Sequence, residues 1–431
     1  MESESRWVPT TALELHLPPS FITEHAIRTL SFQGAMTASE LARHWRVRDN
    51  IAIEVVASLK TAGLVGLDSS QSTFERTGRV HLMSSGLARV EAARQRTRYA
   101  GPLPVALSDF ESRTDIAVGQ PIDRTMLERA LTGESIPAEA AAEIGQAIAS
   151  DSTVAIAGLA FDEQSQIASA LASALTGEVT LPYALYAAGS VVRVFDVRYH
   201  HSTEDQPPGA SSDGEVLRAR GDFAQWGTIE RPFVRFAGGV HESDILPAYD
   251  EESRFYVAPA PFAACGGLMT VMDAGSNPAA LRHLAQLWLI PGLSRTGIIL
   301  LRSGERIEVP WRTATVLFGD VRAALPGTMR EALLYSVDLS ALRGDALRSF
   351  VGRRLARSGP AVAEAVEAIA SLIERRRLTT RSAAALATRY VSDRAAYEGD
   401  QFQLTASLLE ASVEFASERQ SETGPALRAA S

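Results

Sequence analysis

From Thr153 onward the sequence alternates short apolar runs with amphipathic stretches: TVAIAG, QSQIASALASAL, SVVRVFDV, RPFVRFAG, GGLMTVMDAG, PAALRHLAQLWL, TGIILLRSG and RTATVLFGDV. Short apolar runs bounded by glycine or polar turns are buried strands, and helical stretches between them serve as crossovers. The alternation predicts an α/β unit, a mostly parallel sheet with helices packed on it. From Ser340 onward only helical periodicity remains.

The first hundred residues carry another pattern. Phe21 to Leu30 has helical spacing. Thr37, with Glu40 three residues on, forms a capping box that opens the helix TASELARHWRV. The next stretch, DNIAIEVVASLKTAGLV, puts Ile51, Val55, Val56 and Leu59 on one face and stops at Gly63. Two strands about a polar tip, Ser69 to Ser72, follow, then a helix from Ser85 to Arg98. Three helices and a β-wing predict a winged helix-turn-helix unit. YAGPLP, Tyr99 to Pro104, suits neither helix nor strand and reads as a linker. Residues 105–150 read as mainly helical. EDQPPGASSDGE, Glu204 to Glu215, reads as a loop. The expected division is 1–100, a winged helix; 101–339, an α/β domain; 340–420, a helical lid; and 421–431, a disordered tail.

Charge and composition narrow the function. A formal net charge of −9 argues against a generally basic, nucleic-acid-coating or anionic-membrane surface. With one cysteine, Cys265, there is no intramolecular disulfide and no cysteine-rich metal centre. No apolar run has the length of a membrane span, and no basic segment leads into an apolar one at the N-terminus, so a cytoplasmic location is expected. Of 42 basic residues only Lys60 is lysine.

The stretch VAIAGLAFDEQSQIASALASAL, Val154 to Leu175, has the strand–turn–helix outline of a phosphate-binding loop. Such a loop reads G-x-x-x-x-G-K-[ST]: backbone N–H groups cradle phosphate, the lysine reaches the terminal phosphates and the hydroxyl holds magnesium. Here Gly158 stands first and Ser165 last, but Glu163 replaces the second glycine and Gln164 the lysine. Asp162 and Glu163 add negative charge where a triphosphate would lie. Lys60 belongs to the N-terminal unit, so no loop lysine is available elsewhere. Asp273, closing GGLMTVMDAG, has the place of an acid that binds magnesium at a strand end. An ordinary strand–turn–helix also accounts for these residues.

Longer segments carry a resemblance. YAGPLPVAL, LPYALYAAGSVVRVFDVRYHHS, ERPFVRFAGGVHESDILPAYDEESRFYVAPAPFAACGGLMTVMDAG, LWLIPGL and ERIEVPWRTATVLFGD occur in the order found in a bacterial family of predicted AAA+ ATPases with an N-terminal winged helix. From Leu17 to about Ser417 the chain resembles that family. The resemblance implies a P-loop NTPase-type α/β domain, a helical lid, ATP and magnesium as ligands, and assembly into oligomers. Matched to the family's motifs, GPPGNGKT becomes GLAFDEQS, Gly158 to Ser165, and IDDFG becomes VMDAG, Val271 to Gly275. Met272 then takes the metal-holding position and Asp273 that of the acid activating water; a slip of one residue would return Asp273 to the metal. The sensor asparagine falls on Asp320. The paired arginines fall near Glu331 and Ala332, with Arg330 adjacent, and Arg381 is the nearest candidate for a lid sensor. The resemblance thus implies a degenerate member that lacks the lysine, the metal ligand and the sensor together, so that hydrolysis is lost.

Three readings follow: an inert AAA+-like subunit working through protein partners, among them an active paralogue; an ATP-binding subunit with an atypical site; and a DNA-binding regulator. As a groove reader the third helix offers Asn50, Glu54, Ser58, Lys60 and Thr61, with Arg43, His44, Arg46 and Arg48 before it, a thin basic footprint that favours protein contacts. His200 and His201 lack a nearby acid or cysteine at ligand spacing, and Cys265 lacks a histidine partner in sequence, so neither a metal site nor a nucleophile is expected.

Overall fold

Thr153–Ala157 is buried on both sides of the chain, and it lies where such a strand must, inside a sheet covered on both faces. The computed structural model describes residues 9–68, 78–112, 122–134, 136–203, 225–330, 333–356 and 363–423. It is a mixed α/β structure. Its central sheet has five parallel strands, β1 (Thr153–Ala157), β2 (Phe233–Phe236), β3 (Leu268–Val271), β4 (Ala314–Phe318) and β5 (Tyr335–Asp338), in the order β5-β1-β4-β3-β2. The period-2 alternation divides their side chains between two cores. Val154, Ile156 and Leu268 face Ile144, Ile167 and Leu171 of the helices Ala138–Ala149 and Phe161–Ala174. Ala155, Met269 and Val271 face the opposite core around Phe262, Trp288 and Trp311.

The alternation predicted one sheet, and the strands are in fact divided. SVVRVFDV supplies Ser190–Arg193 to a second, mixed sheet with Ala184–Ala187, Val105–Ala106, Phe255–Val257 and Ala248–Asp250. Its tight hairpin turns at Ala188 and Gly189, both at positive φ (52° and 71°), as the twist of a two-residue connection requires. TGIILLRSG supplies Thr296–Leu300, which pairs antiparallel with Arg306–Pro310. Edge strand β5 has no signature in the sequence. It buries only Val337, so no apolar run marks it.

The N-terminal unit has helices Pro19–Gln33, Ala38–Trp45 and Asp49–Thr61, an antiparallel pair Val65–Asp68 and Arg79–Leu82, and a helix Ser84–Arg96. The Thr37 hydroxyl accepts from Glu40 N (3.2 Å) and Glu40 accepts from Thr37 N (2.8 Å), completing the capping box. The tip Ser69–Ser72 and the stretch Glu204–Glu215 lie outside the described residues. Tyr99–Pro104 has no regular structure, but it is packed. Tyr99 and Leu103 belong to a core that runs from Leu41 and Trp45 to Ala184 and Val191 of the mixed sheet. Leu103 N donates to Trp45 O (2.9 Å) and Arg98 N to Ser253 O (2.7 Å).

The C-terminal unit is helical, as its periodicity predicted: Gly344–Ala356, Ala363–Arg375, Thr380–Glu398 and Ala406–Thr423 enclose Leu347, Phe350, Ile369 and Val413. The last helix continues into residues 421–423, the start of the expected tail; residues 424–431 lie outside the described residues. No described helix is long and apolar enough to cross a membrane.

Two buried histidines are expected to make the fold sensitive to acid. Burial holds the imidazoles of His25 and His200 below their ordinary range near 6.5. His25 lies 3.0 Å from Gly101 O; His200 accepts from Asp196 N (3.0 Å) and lies 2.8 Å from Ala263 O. Below 6.5 the unfolded chain takes up protons that the folded chain refuses, so stability falls as pH drops through that value and is retained above it. Urea midpoints are expected to be lower at about pH 5.5 than at about pH 7.5; equal midpoints would contradict this account.

Candidate functional site

The connection after β1 runs to the far edge, where β2 lies, whereas the connection after β4 passes back over β1 to β5. Neighbouring strands β1 and β4 therefore send their chains in opposite directions. In open α/β sheets the crevice beyond the carboxyl ends at such a reversal is the usual ligand position. Gly158, Gln164, Asp273 and Asp320 all fall there.

Gln164 is the junction. Its Nε2 donates to Leu159 O (3.2 Å) and its Oε1 accepts from Asp273 N (2.9 Å), fastening the turn after β1 to the end of β3. Asp273 is exposed at φ 49°. Asp320 is also exposed and caps the helix Val321–Ala324 through Ala323 N (3.3 Å). The two loops adjoin: a Cβ on Gly319 would lie 3.7 Å from Asp273 Cα. Ser165 is half-buried in the second turn of its helix. Met272 donates to Phe236 O (2.9 Å) and is buried beside the helices, directly after β3.

The turn itself is short. The helix begins at Phe161, leaving only Gly158, Leu159 and Ala160 outside regular structure. In a phosphate cradle the four residues after the first glycine form the loop; here the last two, Phe161 and Asp162, are already helical. Without a second glycine nothing interrupts the helix at Glu163, and acids in a first turn suit the helix dipole. Ala160 has no side-chain oxygen, so only half of a capping box exists: Glu163 accepts from Ala160 N (3.0 Å).

The acids of this turn are themselves paired. Glu163 accepts from Arg381 Nε (2.9 Å), with the Glu163 side chain 4% and the Arg381 side chain 0% exposed. Asp162 accepts from Arg354 Nη2 (2.7 Å) at a half-buried position. Arg381 comes from the helix Thr380–Glu398 and Arg354 from Gly344–Ala356, so two of the four helices of the C-terminal unit grip the start of the Phe161 helix. The Arg381 guanidinium also lies over the Phe350 ring (4.8 Å to its centre) and Arg354 Nε donates to Thr388 Oγ1 (3.1 Å). Burial lowers the affinity of Arg381 for its proton, and the Glu163 carboxylate opposes that shift. Gly158 closes the arrangement: at φ 83°, any Cβ on it would lie 2.1 Å from Ser340 N, at the entry to the C-terminal unit. Nothing local in the sequence signals Arg354, whose partner Asp162 is distant along the chain.

The other candidates separate. Arg330 is exposed and donates through Nε to Leu325 O (2.9 Å); Glu331 and Ala332 lie outside the described residues. His200 is engaged by backbone and His201 is exposed. Among the described residues no group of three or more His, Cys, Asp or Glu is placed to hold a metal. Burial pushes the Cys265 thiol up to about 11, which leaves it a poor nucleophile. On the third helix, Asn50 donates to Thr10 O and Glu54 accepts from Ala12 N (2.9 Å), so residues 10–12 lie against its first half, while Ser58, Lys60 and Thr61 are exposed. His44 reaches Ala100 O (2.5 Å) and Arg46 stacks over Tyr183 (4.4 Å), leaving Arg43 and Arg48 as exposed members of the basic group. No family model matches the chain, and no curated protein matches it.

Proposed function

We propose that the chain is an AAA+-like subunit, with a winged-helix N-terminal unit and a C-terminal lid, whose nucleotide site has been replaced by an internal clamp. It acts in the cytoplasm through assembly with protein partners, an active paralogue among them, rather than by hydrolysing ATP. The observation that carries this reading is the pairing of Glu163 with Arg381 and of Asp162 with Arg354 across the turn after β1. These carboxylates take the arginines and the helix N-terminus that would otherwise serve phosphate. The reversal of strand order at β1 and β4, and the helical unit resting on the turn, support the AAA+-like assignment.

Thermal unfolding with millimolar ATP and magnesium tests the reading. A ligand at a hundred times its dissociation constant stabilises the folded state by about 2.7 kcal/mol. No shift in Tm is expected; a rise of several degrees would establish the ATP-binding alternative.

The winged-helix unit is assigned to protein contacts, because Asn50 and Glu54, in the first half of its third helix, are already bonded to residues 10–12. Binding to random duplex DNA is expected to be weak and to vanish at moderate salt, since few phosphates would be neutralised. Salt-resistant, sequence-selective retardation in a gel would favour a DNA-binding regulator instead.

A further inference from the structure

A cleft of about 590 Å³ opens where the N-terminal unit, the mixed sheet and the hairpin Thr296–Leu300/Arg306–Pro310 meet. It lies apart from the turn after β1 and shares no residue with it. Its size is that of a small-molecule site, and junctions between units are where such sites concentrate. Three arginines line it, each from a different element: Arg96 ends a helix of the N-terminal unit, Arg254 stands in the hairpin after Asp250, and Arg302 in the turn after Leu300. Two carboxylates accompany them. Glu24 pairs with Arg96 and Glu251 with Arg302. Among the described residues Arg254 makes no ion pair; its Nη1 donates to Gln95 O (2.5 Å).

We propose that this cleft binds a small multivalent anion, one carrying two or more phosphate or carboxylate groups. In a chain of net charge −9, three guanidiniums against two carboxylates make a local basic site. The Arg302–Glu251 pair is exposed (67% and 71%), so water screens it and it is readily exchanged. A multivalent anion engages several guanidinium forks at once, which a single Glu cannot do. The frame is also prepared in advance. Arg254 is held at φ 56°, a conformation that an L-residue keeps only when its surroundings impose it. Arg254 N donates to Asp250 O (2.6 Å) and Arg98 N to Ser253 O (2.7 Å), so the hairpin tip is tied to the N-terminal unit before any ligand arrives. Preorganisation of this kind reduces the ordering cost of binding.

Calorimetric titration of the full chain with tripolyphosphate and with citrate, at matched ionic strength, tests the proposal and separates phosphate from carboxylate ligands. One of the two is expected to bind with one site per chain. Arg302→Gln is expected to weaken it by roughly tenfold or more, and Glu251→Gln, which frees Arg302 from its competitor, to strengthen it several-fold. Arg254→Gln is expected to weaken it as well; should that variant fail to fold, the opposite signs at Arg302 and Glu251 still decide. Binding of neither anion, binding unchanged in Arg302→Gln and Glu251→Gln, or binding only of an acidic peptide would overturn the proposal. The result is independent of the Mg-ATP experiment, since neither anion needs the turn at Gly158.

Discussion

Arg381→Met is expected to destabilise the chain by about 3–5 kcal/mol, because it leaves the Glu163 carboxylate buried without its counter-ion. That is a large part of the total stability of an ordinary domain, about 5–15 kcal/mol. The cost should be local before it is global. Amide exchange should rise in the helix Thr380–Glu398 and at the start of the Phe161 helix, which this pair joins. Glu163→Met alone should cost a similar amount, since it strands a guanidinium at 0% exposure. The double variant should recover most of the loss, because an apolar pair of similar volume often equals or exceeds a buried ion pair. A cycle of the four proteins therefore predicts a coupling of several kcal/mol. A cost below about 1 kcal/mol for Arg381→Met would mean that the pair behaves as an exposed one and is no clamp.

Gly158→Ala should be nearly as damaging for a different reason. The added Cβ would meet Ser340 N at 2.1 Å, Ser340 Cα at 2.5 Å and the carbonyl carbon of Leu339 at 2.7 Å. All three are backbone atoms and cannot rotate aside. Left-handed backbone costs an alanine about 1–2 kcal/mol, and forced overpacking about 1–3 kcal/mol more. The segment at Ser340 must then leave the turn, carrying with it the Ser340 O contact to Arg381 N (3.2 Å). Limited proteolysis should cut near residue 340 faster than in the parent. Gly327→Ala serves as control: its Cβ meets nothing within 4 Å, and a change within about 0.5 kcal/mol is expected. Equal effects at the two glycines would show that the close approach at Gly158 does not matter to stability.

The sequence was most readable where packing is one-dimensional. Strands β1, β3 and β4 are continuous apolar runs, because they are covered on both faces, and Thr37 with Glu40 declares a helix start within four residues. Pairing between strands is not local, so nothing in SVVRVFDV says that Val191 and Val192 belong to the mixed sheet while Phe233–Phe236 joins the parallel one. Strand β5, an edge strand with one buried side chain, has no hydrophobic signature. At the turn after β1, Glu163 in place of glycine was visible, and so was the negative charge it adds. What that charge does was not visible. Read alone, Asp162 and Glu163 only repel an anion. Their partners, Arg354 and Arg381, enter from helices at the other end of the chain, and only folding shows that the acids are bound rather than free.

The packed seam at Tyr99–Pro104 bears on how this protein can be inherited and divided. Because Leu103 and Tyr99 share one core with Trp45 on one side and with Ala184 and Val191 on the other, the N-terminal unit is no detachable bead on a string. A chain cut at residue 100 would bare Ala184 and Val191 to water in one fragment and the far side of the Trp45 core in the other. Both fragments would carry sticky apolar faces that fit each other. Recombination that traded this N-terminal unit for an unrelated one would have to rebuild the seam at the same time. The two units are expected to be passed on as a matched set, with substitutions at Leu103 or Trp45 answered across the seam.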